Sequence, residues 1–308
     1  MNNLKNKALG SFLGSAICDA LGTTLEFQKR DHHPLVTDLV GGGVFNLRPG
    51  EWTDDTAMAL CLADSLIEFK GFNPEDQMKK YCDWYLKGYN SCNGYCFDIG
   101  GTVRQALEKF METGQAYAGG EEIYQSGNGS LMRLTPIPIF YRTTLENEEG
   151  LNILVKKAAD SSRTTHGTKV CLASCKLYAL MINKAFNDLS KENILNFSNA
   201  EINKYDLKVR DFEVILNQDY KNKTRDDIKS TGYVVDSLEA ALWAFYNSDN
   251  FKDGAILAVN LAGDADTIGA IYGQLAGAFY GVDGIPEEWL NKVVMKNTIS
   301  ETTLNLLK

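Results

Sequence analysis

A run of glycines near the C-terminus constrains the fold more strongly than any other feature of the chain. Within an otherwise apolar segment, glycine recurs at every fourth residue: Gly269, Gly273, Gly277 and Gly281. This spacing places the glycines on one face of a helix, where each costs about 1 kcal/mol of helix stability relative to alanine. Close packing of a second backbone against that face would offset the cost. Gly10 and Gly14 have the same spacing, so we expect the two segments to pack together in the core.

Apolar residues recur at helical spacing along most of the chain, whereas the alternating pattern of strands is scarce. The sequence therefore predicts an all-α fold, built as one domain over residues 1–308. The polar stretch 184–230 is interpreted as surface helices within that domain, because chemical motifs lie on both sides of it. The predicted helices are Ala8–Leu21, Thr56–Phe69, Pro74–Gly88, Gly101–Thr113, Leu151–Arg163, Thr168–Asn183, Ser237–Asn247, Asp253–Leu261, Thr267–Tyr280 and Glu287–Lys296.

Composition excludes several classes of function. The chain carries 40 acidic and 31 basic side chains, a net charge of −9, which disfavours binding to a nucleic acid. The apolar segment 255–282 is interrupted by Asp264 and Asp266. Neither half then reaches the roughly 20 apolar residues of a membrane-spanning helix, so we expect no membrane association. Seven cysteines, an odd number in a long chain, are typical of reduced thiols and predict a cytoplasmic location.

Two short segments place a pair of carboxyl groups and a threonine hydroxyl directly before an apolar helix. They are Trp52–Thr56 and Gly263–Thr267. One interpretation is helix capping, for which a single acid would be enough. Two close acids in apolar sequence repel each other unless a cation neutralises them. Because all the donors are oxygens, the alternative is a site for Mg²⁺, Mn²⁺ or Ca²⁺ rather than for zinc.

Further polar residues could belong to the same site. Glu26 lies between apolar neighbours after a Gly-Thr-Thr loop, which suits a carboxylate near the cations. The glycine-rich turn Ser126–Arg133 could present consecutive backbone amides to anionic oxygens, or be only a turn. Asp19 and His166 each have a structural alternative, as a paired helix residue and as a loop residue.

In this order along the chain, the motifs resemble those of the ADP-ribosylglycohydrolase family. The resemblance covers nearly the whole chain. One departure is Cys18, where the family usually has glycine. The segments that carry the resemblance are Gly14–Gly22 with Glu26, Trp52–Thr56, Asp98–Thr102, Gly127–Arg133, Arg163–Gly167, Gly232–Asp236 and Gly263–Gly269. The resemblance implies a compact orthogonal multi-helix fold with a binuclear centre of two Mg²⁺ or Mn²⁺ ions in a cleft.

The resemblance also implies roles for individual residues. Glu26, Asp54 and Asp55 would share positioning and proton transfer, and which of them acts as the general base stays open. The glycine-rich turn would hold the pyrophosphate or ribose, and Tyr233 would stack on the adenine. The implied metal ligands are Thr53, Asp54, Asp55, Asp264, Asp266 and Thr267. The implied substrate-binding residues are Asp98, Gly100, Gly127, Asn128, Gly129, Ser130, His166 and Tyr233.

The function implied by the resemblance is removal of mono-ADP-ribose from a modified protein side chain, with arginine favoured over serine as the acceptor. Positive charge develops at the anomeric carbon during such a hydrolysis, and nearby carboxylates would stabilise it. Two cations could hold the ribose hydroxyls and lower the pKa of a water molecule. Two alternatives stay open: a non-catalytic ADP-ribose-binding protein, and a hydrolase of a phosphoester or of a related ester such as O-acetyl-ADP-ribose.

Overall fold

The computed structural model describes residues 2–308 of the chain. Over these residues the chain forms α-helices joined by loops and short 3-10 turns, with isolated bridges and no β-sheet. Each of the ten predicted helices corresponds to an observed one, which confirms the all-α fold. The helices are α1 (Asn3–Gly22), α2 (Asp54–Phe69), α3 (Pro74–Lys87), α4 (Gly101–Thr113), α5 (Pro136–Phe140), α6 (Glu148–Arg163), α7 (Lys169–Phe186), α8 (Lys191–Leu195), α9 (Asn199–Lys204), α10 (Glu213–Leu216), α11 (Val234–Tyr246), α12 (Phe251–Val259), α13 (Ala265–Tyr280), α14 (Glu287–Lys292) and α15 (Lys296–Leu306).

The glycines of α1 and α13 let the two helices pack backbone against backbone, as the sequence predicts. A methyl group at Gly277 would overlap the carbonyl oxygen of Gly10, and one at Gly273 would overlap that of Gly14. The helices are therefore closer than any side chain at these positions would allow. Gly281 differs from the expectation, because it follows the last residue of α13 with a φ of +74° and ends the helix.

Helix α1 lies in the core, where its residues from Lys7 to Gly22 are all buried. By length and composition alone, the segment Asn3–Leu25 could cross a membrane, yet 89% of its apolar window is buried inside the protein. A helix that is apolar on all sides is also what a protein core requires. Its place between other helices thus accounts for its composition.

The structure departs from the predicted helices in two places. The polar stretch after α7 contains only short helices and turns, which are anchored by isolated buried side chains such as Ile194, Phe212 and Tyr220. The predicted last helix ends four residues early, at Lys292, and a separate helix, α15, follows it. Met295, with a φ of +60°, separates the two.

Three helices begin at the same cleft. Asp54 at the start of α2, Gly101 at the start of α4 and Asp266 in the first turn of α13 all line it. The first turn of a helix carries a partial positive charge and free amide groups. The fold thereby collects anion-stabilising helix ends around the acidic segments that the sequence singled out.

Candidate active site

The cleft has a volume of about 560 Å³ and an acidic lining. Five carboxyl groups line it, and within residues 2–308 no lysine or arginine does. The lining residues are Glu26, Phe27, Asp54, Asp98, Gly100, Gly101, Thr102, Val103, Gly127, Asn128, Gly129, Met132, His166, Ser230, Thr231, Gly232, Gly263, Asp264, Asp266 and Thr267.

The start of α2 is capped by a residue from another helix. Asp19 of α1 accepts hydrogen bonds from the amides of Thr53 (2.9 Å) and Thr56 (3.1 Å) and from the Thr56 hydroxyl (2.6 Å). Asp19 is therefore the paired structural residue of the sequence analysis. Because Asp19 already caps α2, Asp54 and Asp55 are not needed as caps, and their carboxyl groups are available for another role.

The start of α13 is capped by Glu26, whose Oε2 accepts a hydrogen bond from the Ala265 amide (3.0 Å). Glu26 is held beside Gly263 by a backbone bridge between the two segments. Carboxylate oxygens of Glu26, Asp264 and Asp266 all lie within 4.8 Å of one another. This spacing suits three ligands of one cation.

The two acidic segments, far apart in sequence, meet at Asp55. Its Oδ2 accepts a hydrogen bond from the Thr267 hydroxyl (3.4 Å) and lies 3.2 Å from the Thr53 hydroxyl. Its Oδ1 is buried and has no hydrogen-bond partner. A buried carboxylate oxygen without a donor is costly unless a cation neutralises it.

The pKa values of the carboxyl groups also indicate that a cation would stabilise the cleft. Burial, together with the charges of Asp98 and Asp266, raises the pKa of Asp54 well above its ordinary value. Burial, followed by the charge of Asp266, likewise raises the pKa of Asp98 to about 8 and that of Asp264 to about 7. The ionised forms are thus disfavoured in the protein alone. An oxygen-only donor set with excess negative charge fits Mg²⁺ or Mn²⁺.

The glycine-rich turn is supported from below by Arg133, which is fully buried. Its guanidinium donates hydrogen bonds to the Gly129 carbonyl (2.6 Å) and the Thr165 hydroxyl (2.7 Å), and it lies over the Tyr81 ring. Gly129 must be small, because a methyl group there would lie 2.9 Å from Cε1 of His166. Arg133 was not predicted as a site residue, although it is the last residue of the glycine-rich turn Ser126–Arg133.

His166 and Asn128 have clear local partners. Burial, with Arg133 adding to it, lowers the pKa of His166 to about 3, so the imidazole is neutral. Its Nδ1 lies 2.8 Å from the Thr165 hydroxyl. Asn128 donates hydrogen bonds to Asp264 Oδ2 (2.6 Å) and the Ser237 hydroxyl (2.8 Å). Asn128 therefore positions an acidic residue of the site.

Four predicted site residues lie outside the lining of the cleft. Thr53 and Asp55 are buried and do not reach its surface, and Ser130 is buried with its hydroxyl 2.8 Å from that of Ser162. Tyr233 lines an adjoining cavity that also contains Lys208. Phe27, Val103, Met132, Ser230 and Thr231 also line the cleft, although none of them was predicted as a site residue. Two of these had a sequence signal: Phe27 directly follows Glu26, and Met132 lies inside the glycine-rich turn.

Comparisons with known proteins bear on the fold and the family of the chain. The family model for ADP-ribosylglycohydrolases matches residues 1–308. The chain is 44% identical over 302 residues to the ADP-ribosylarginine hydrolase Tri1 of Pseudomonas putida (strain GB-1), covering 98% of this chain and 78% of that protein. It is 33% identical over 298 residues to the ADP-ribosyl-dinitrogen reductase glycohydrolase of Rhodospirillum rubrum, covering 96% and 92%.

A solved structure, described as an ADP-ribosylglycohydrolase-related protein complex, superposes with a TM-score of 0.84 at 36% identity. The superposition covers 100% of this chain and 99% of the other. The all-α fold is thus shared with this solved structure. The chain belongs to the ADP-ribosylglycohydrolase family and is a glycohydrolase, which confirms the resemblance seen in its motifs.

Proposed function

We propose that the chain hydrolyses the N-glycosidic bond between ADP-ribose and an arginine side chain, with two divalent cations in the acidic cleft. The observation that carries the proposal is the meeting of the two acidic segments at Asp55, with its unpartnered Oδ1. The acceptor is supported by relatives from Pseudomonas putida and Serratia proteamaculans, which are 44% and 43% identical and are named ADP-ribosylarginine hydrolases.

The cations would be Mg²⁺ or Mn²⁺, because the donors are carboxylate and hydroxyl oxygens. When bound, such cations neutralise the carboxylates and lower the pKa of a coordinated water. The residues that would hold them are Thr53, Asp54, Asp55, Asp264, Asp266 and Thr267. Glu26 and Asn128 fix the start of α13 and the Asp264 carboxylate.

In the proposed reaction, a water oxygen bonds to the anomeric carbon as the bond from that carbon to the guanidine nitrogen breaks. The electron pair of the broken bond leaves with the nitrogen, which takes up a proton, and the products are ADP-ribose and arginine. Glu26 and Asp54 line the cleft and can stabilise the positive charge and transfer protons. Asp55 does not line the cleft, and its proposed role is that of a cation ligand.

The ADP-ribosyl group would be held at the glycine-rich turn, where the buried charge of Arg133 favours phosphate oxygens. Thr165 accepts a hydrogen bond from Arg133 and can donate its own proton to Nδ1 of His166. The neutral imidazole then carries its proton on Nε2. His166 thereby becomes a hydrogen-bond donor on the cleft wall.

The test compares release of free ADP-ribose from arginine-linked and serine-linked peptides, with Mg²⁺, with Mn²⁺ and with EDTA. We expect cation-dependent release from the arginine-linked peptide. The variants Asp54→Ala and Asp264→Ala should lose more than about a hundredfold in rate, since they remove expected ligands. Asp83→Ala, the same change at a half-buried acid of α3 outside the lining of the cleft, is the control and should keep full activity.

Full activity of both site variants would contradict the metal assignment. Binding of ADP-ribose without release from either peptide, at saturating Mg²⁺ or Mn²⁺, would instead identify a non-catalytic member of the family. Release from the serine-linked peptide alone would retain the reaction and change the acceptor.

A further inference from the structure

Phe27 is an exposed aromatic residue in a backbone conformation that bulky side chains avoid. Its φ is +59° and 67% of its surface is exposed. Two hydrogen bonds fix this conformation, from the Phe27 amide to the Gly263 carbonyl (2.7 Å) and from the Gly263 amide to the Gln28 carbonyl (2.9 Å). Glycine suits such a φ better than phenylalanine, and an exposed ring gains little from burial. The stability of the fold therefore does not account for the ring.

Phe27 is the first of four aromatic rings in mutual contact, which we name the aromatic rim: Phe27, Phe45, Phe97 and Tyr95. Successive ring centroids are 6.4, 5.3 and 5.8 Å apart, all in edge-to-face contact. Phe45 and Phe97 are half-buried, and Tyr95 is 58% exposed. Phe27 lines the cleft, as does Asp98, which adjoins Phe97. The aromatic rim therefore borders the cleft.

The acidic wall of the cleft determines which kind of ligand the aromatic rim attracts. Aromatic faces attract cations, and a planar guanidinium both stacks on a ring and supplies the charge. The cleft beside the rim has five carboxyl groups in its lining and, within residues 2–308, no basic side chain. With the two proposed cations bound, Glu26 and Asp98 remain outside their ligand set and keep this border negative, so a guanidinium is attracted to it and an anion is repelled. A neutral base such as adenine would stack but would gain nothing from the carboxylates.

We infer that the aromatic rim binds the guanidinium of the arginine that carries ADP-ribose, with Phe27 as the residue that distinguishes arginine from hydroxyl acceptors. This inference rests on the proposed function. The linked guanidinium is bonded directly to the anomeric carbon and must lie beside the carboxylates that surround that carbon. Phe27 follows one of them, Glu26, in the chain. A serine linkage offers neither the plane nor the charge.

The experiment compares the variants Phe27→Leu and Phe27→Trp, with thermal unfolding used to establish that each is folded. Phe69→Leu is the matched control, because Phe69 is also exposed but ends α2, whose 16 residues separate it from the cleft by about 22 Å of helix. The measured quantities are KM and kcat for an arginine-linked ADP-ribosyl peptide and the inhibition constant of free ADP-ribose.

We expect Phe27→Leu to raise the KM for the arginine-linked peptide about two- to fivefold, the range for an exposed cation–π contact. The inhibition constant of ADP-ribose should stay at the wild-type value, and Phe27→Trp should restore the KM. An equal loss of affinity for free ADP-ribose would overturn the inference and assign the ring to adenine. An unchanged KM in Phe27→Leu would also overturn it.

Failure of the proposed function would be visible separately, as absence of release from the arginine-linked peptide by the wild-type protein. In that case, binding of the uncleaved peptide and of ADP-ribose is measured by calorimetry, which tests whether the aromatic rim binds the arginine. Phe27→Leu must then weaken binding of the peptide more than binding of ADP-ribose, and equal weakening would refute the assignment.

Discussion

The acidic cleft predicts that divalent cations stabilise the protein, and do so more strongly at high pH. Asp264, one of the proposed ligands, gives the magnitude. Burial, with the charge of Asp266 adding to it, raises its pKa from 3.8 to about 7. The folded protein thus holds this proton more tightly than the unfolded chain, so stability falls as the pH rises through this range. At about 1.4 kcal/mol per pH unit, the loss from this one group is about 4 kcal/mol.

A cation bound among these carboxyl groups would replace the protons that they otherwise retain. The difference in stability between samples with Mg²⁺ and with EDTA should therefore be small at pH 5 and complete by pH 8. For a chain of this length, about 4 kcal/mol corresponds to a shift of about 6 °C in the midpoint of thermal unfolding. Comparing the two samples at each pH removes the contribution of groups away from the cleft.

Asp55→Asn sharpens this test, because it removes one buried charge at the meeting point of the two acidic segments. With EDTA at pH 8, the variant should be at least as stable as the wild type, since repulsion from Asp19 and Asp266 is relieved. With Mg²⁺, it should gain less than the wild type. Equal midpoints for wild-type protein in Mg²⁺, Mn²⁺ and EDTA at pH 8 would refute the reasoning, as would a larger gain at pH 5.

Two further predictions concern single residues. His166 has a pKa of about 3 in the folded protein against an ordinary value of 6.5, so the unfolded chain takes up the proton first and the stability of the fold decreases on acidification. Between pH 7 and pH 5, the free energy of unfolding measured by chemical denaturation should therefore decrease by about 2 kcal/mol less in His166→Asn than in the wild type. Equal decreases in the two proteins would contradict this. Gly277→Ala should cost about 2–3 kcal/mol or more in the free energy of unfolding, because its methyl group would overlap the Gly10 carbonyl. Gly101→Ala, in open space at the start of α4, is the control, and a similar cost for both would argue against the close packing.

Local patterns predicted much of this fold because their physical cause is local. Helical periodicity located the main helices, and the spacing of Gly273 and Gly277 predicted the contact between α1 and α13. The acidic segments were found because two close carboxyl groups before an apolar helix are expensive without a partner. Each of these signals is contained within a few turns of the chain.

The parts of the site that could not be predicted from the sequence depend on contacts between residues far apart along the chain. Asp19 and Glu26 cap helices that begin 35 or more residues away along the chain, so no local motif marks them as caps. Arg133 is a site residue only because the turn folds over it. Tyr233 lies within a recognisable motif, yet the direction of its side chain is set by packing and leads to an adjoining cavity.

The most direct test of the central claim is a Mn²⁺ titration of protein freed of metal with EDTA and then desalted. Bound Mn²⁺ and the release of ADP-ribose from an arginine-linked peptide are measured in the same samples. We predict no release without metal, and activity that rises with bound Mn²⁺ to a plateau at two ions per chain, while Asp264→Ala binds fewer. Full release from the metal-free protein, or activity unrelated to bound Mn²⁺, would contradict the assignment of the acidic cleft as a binuclear catalytic centre.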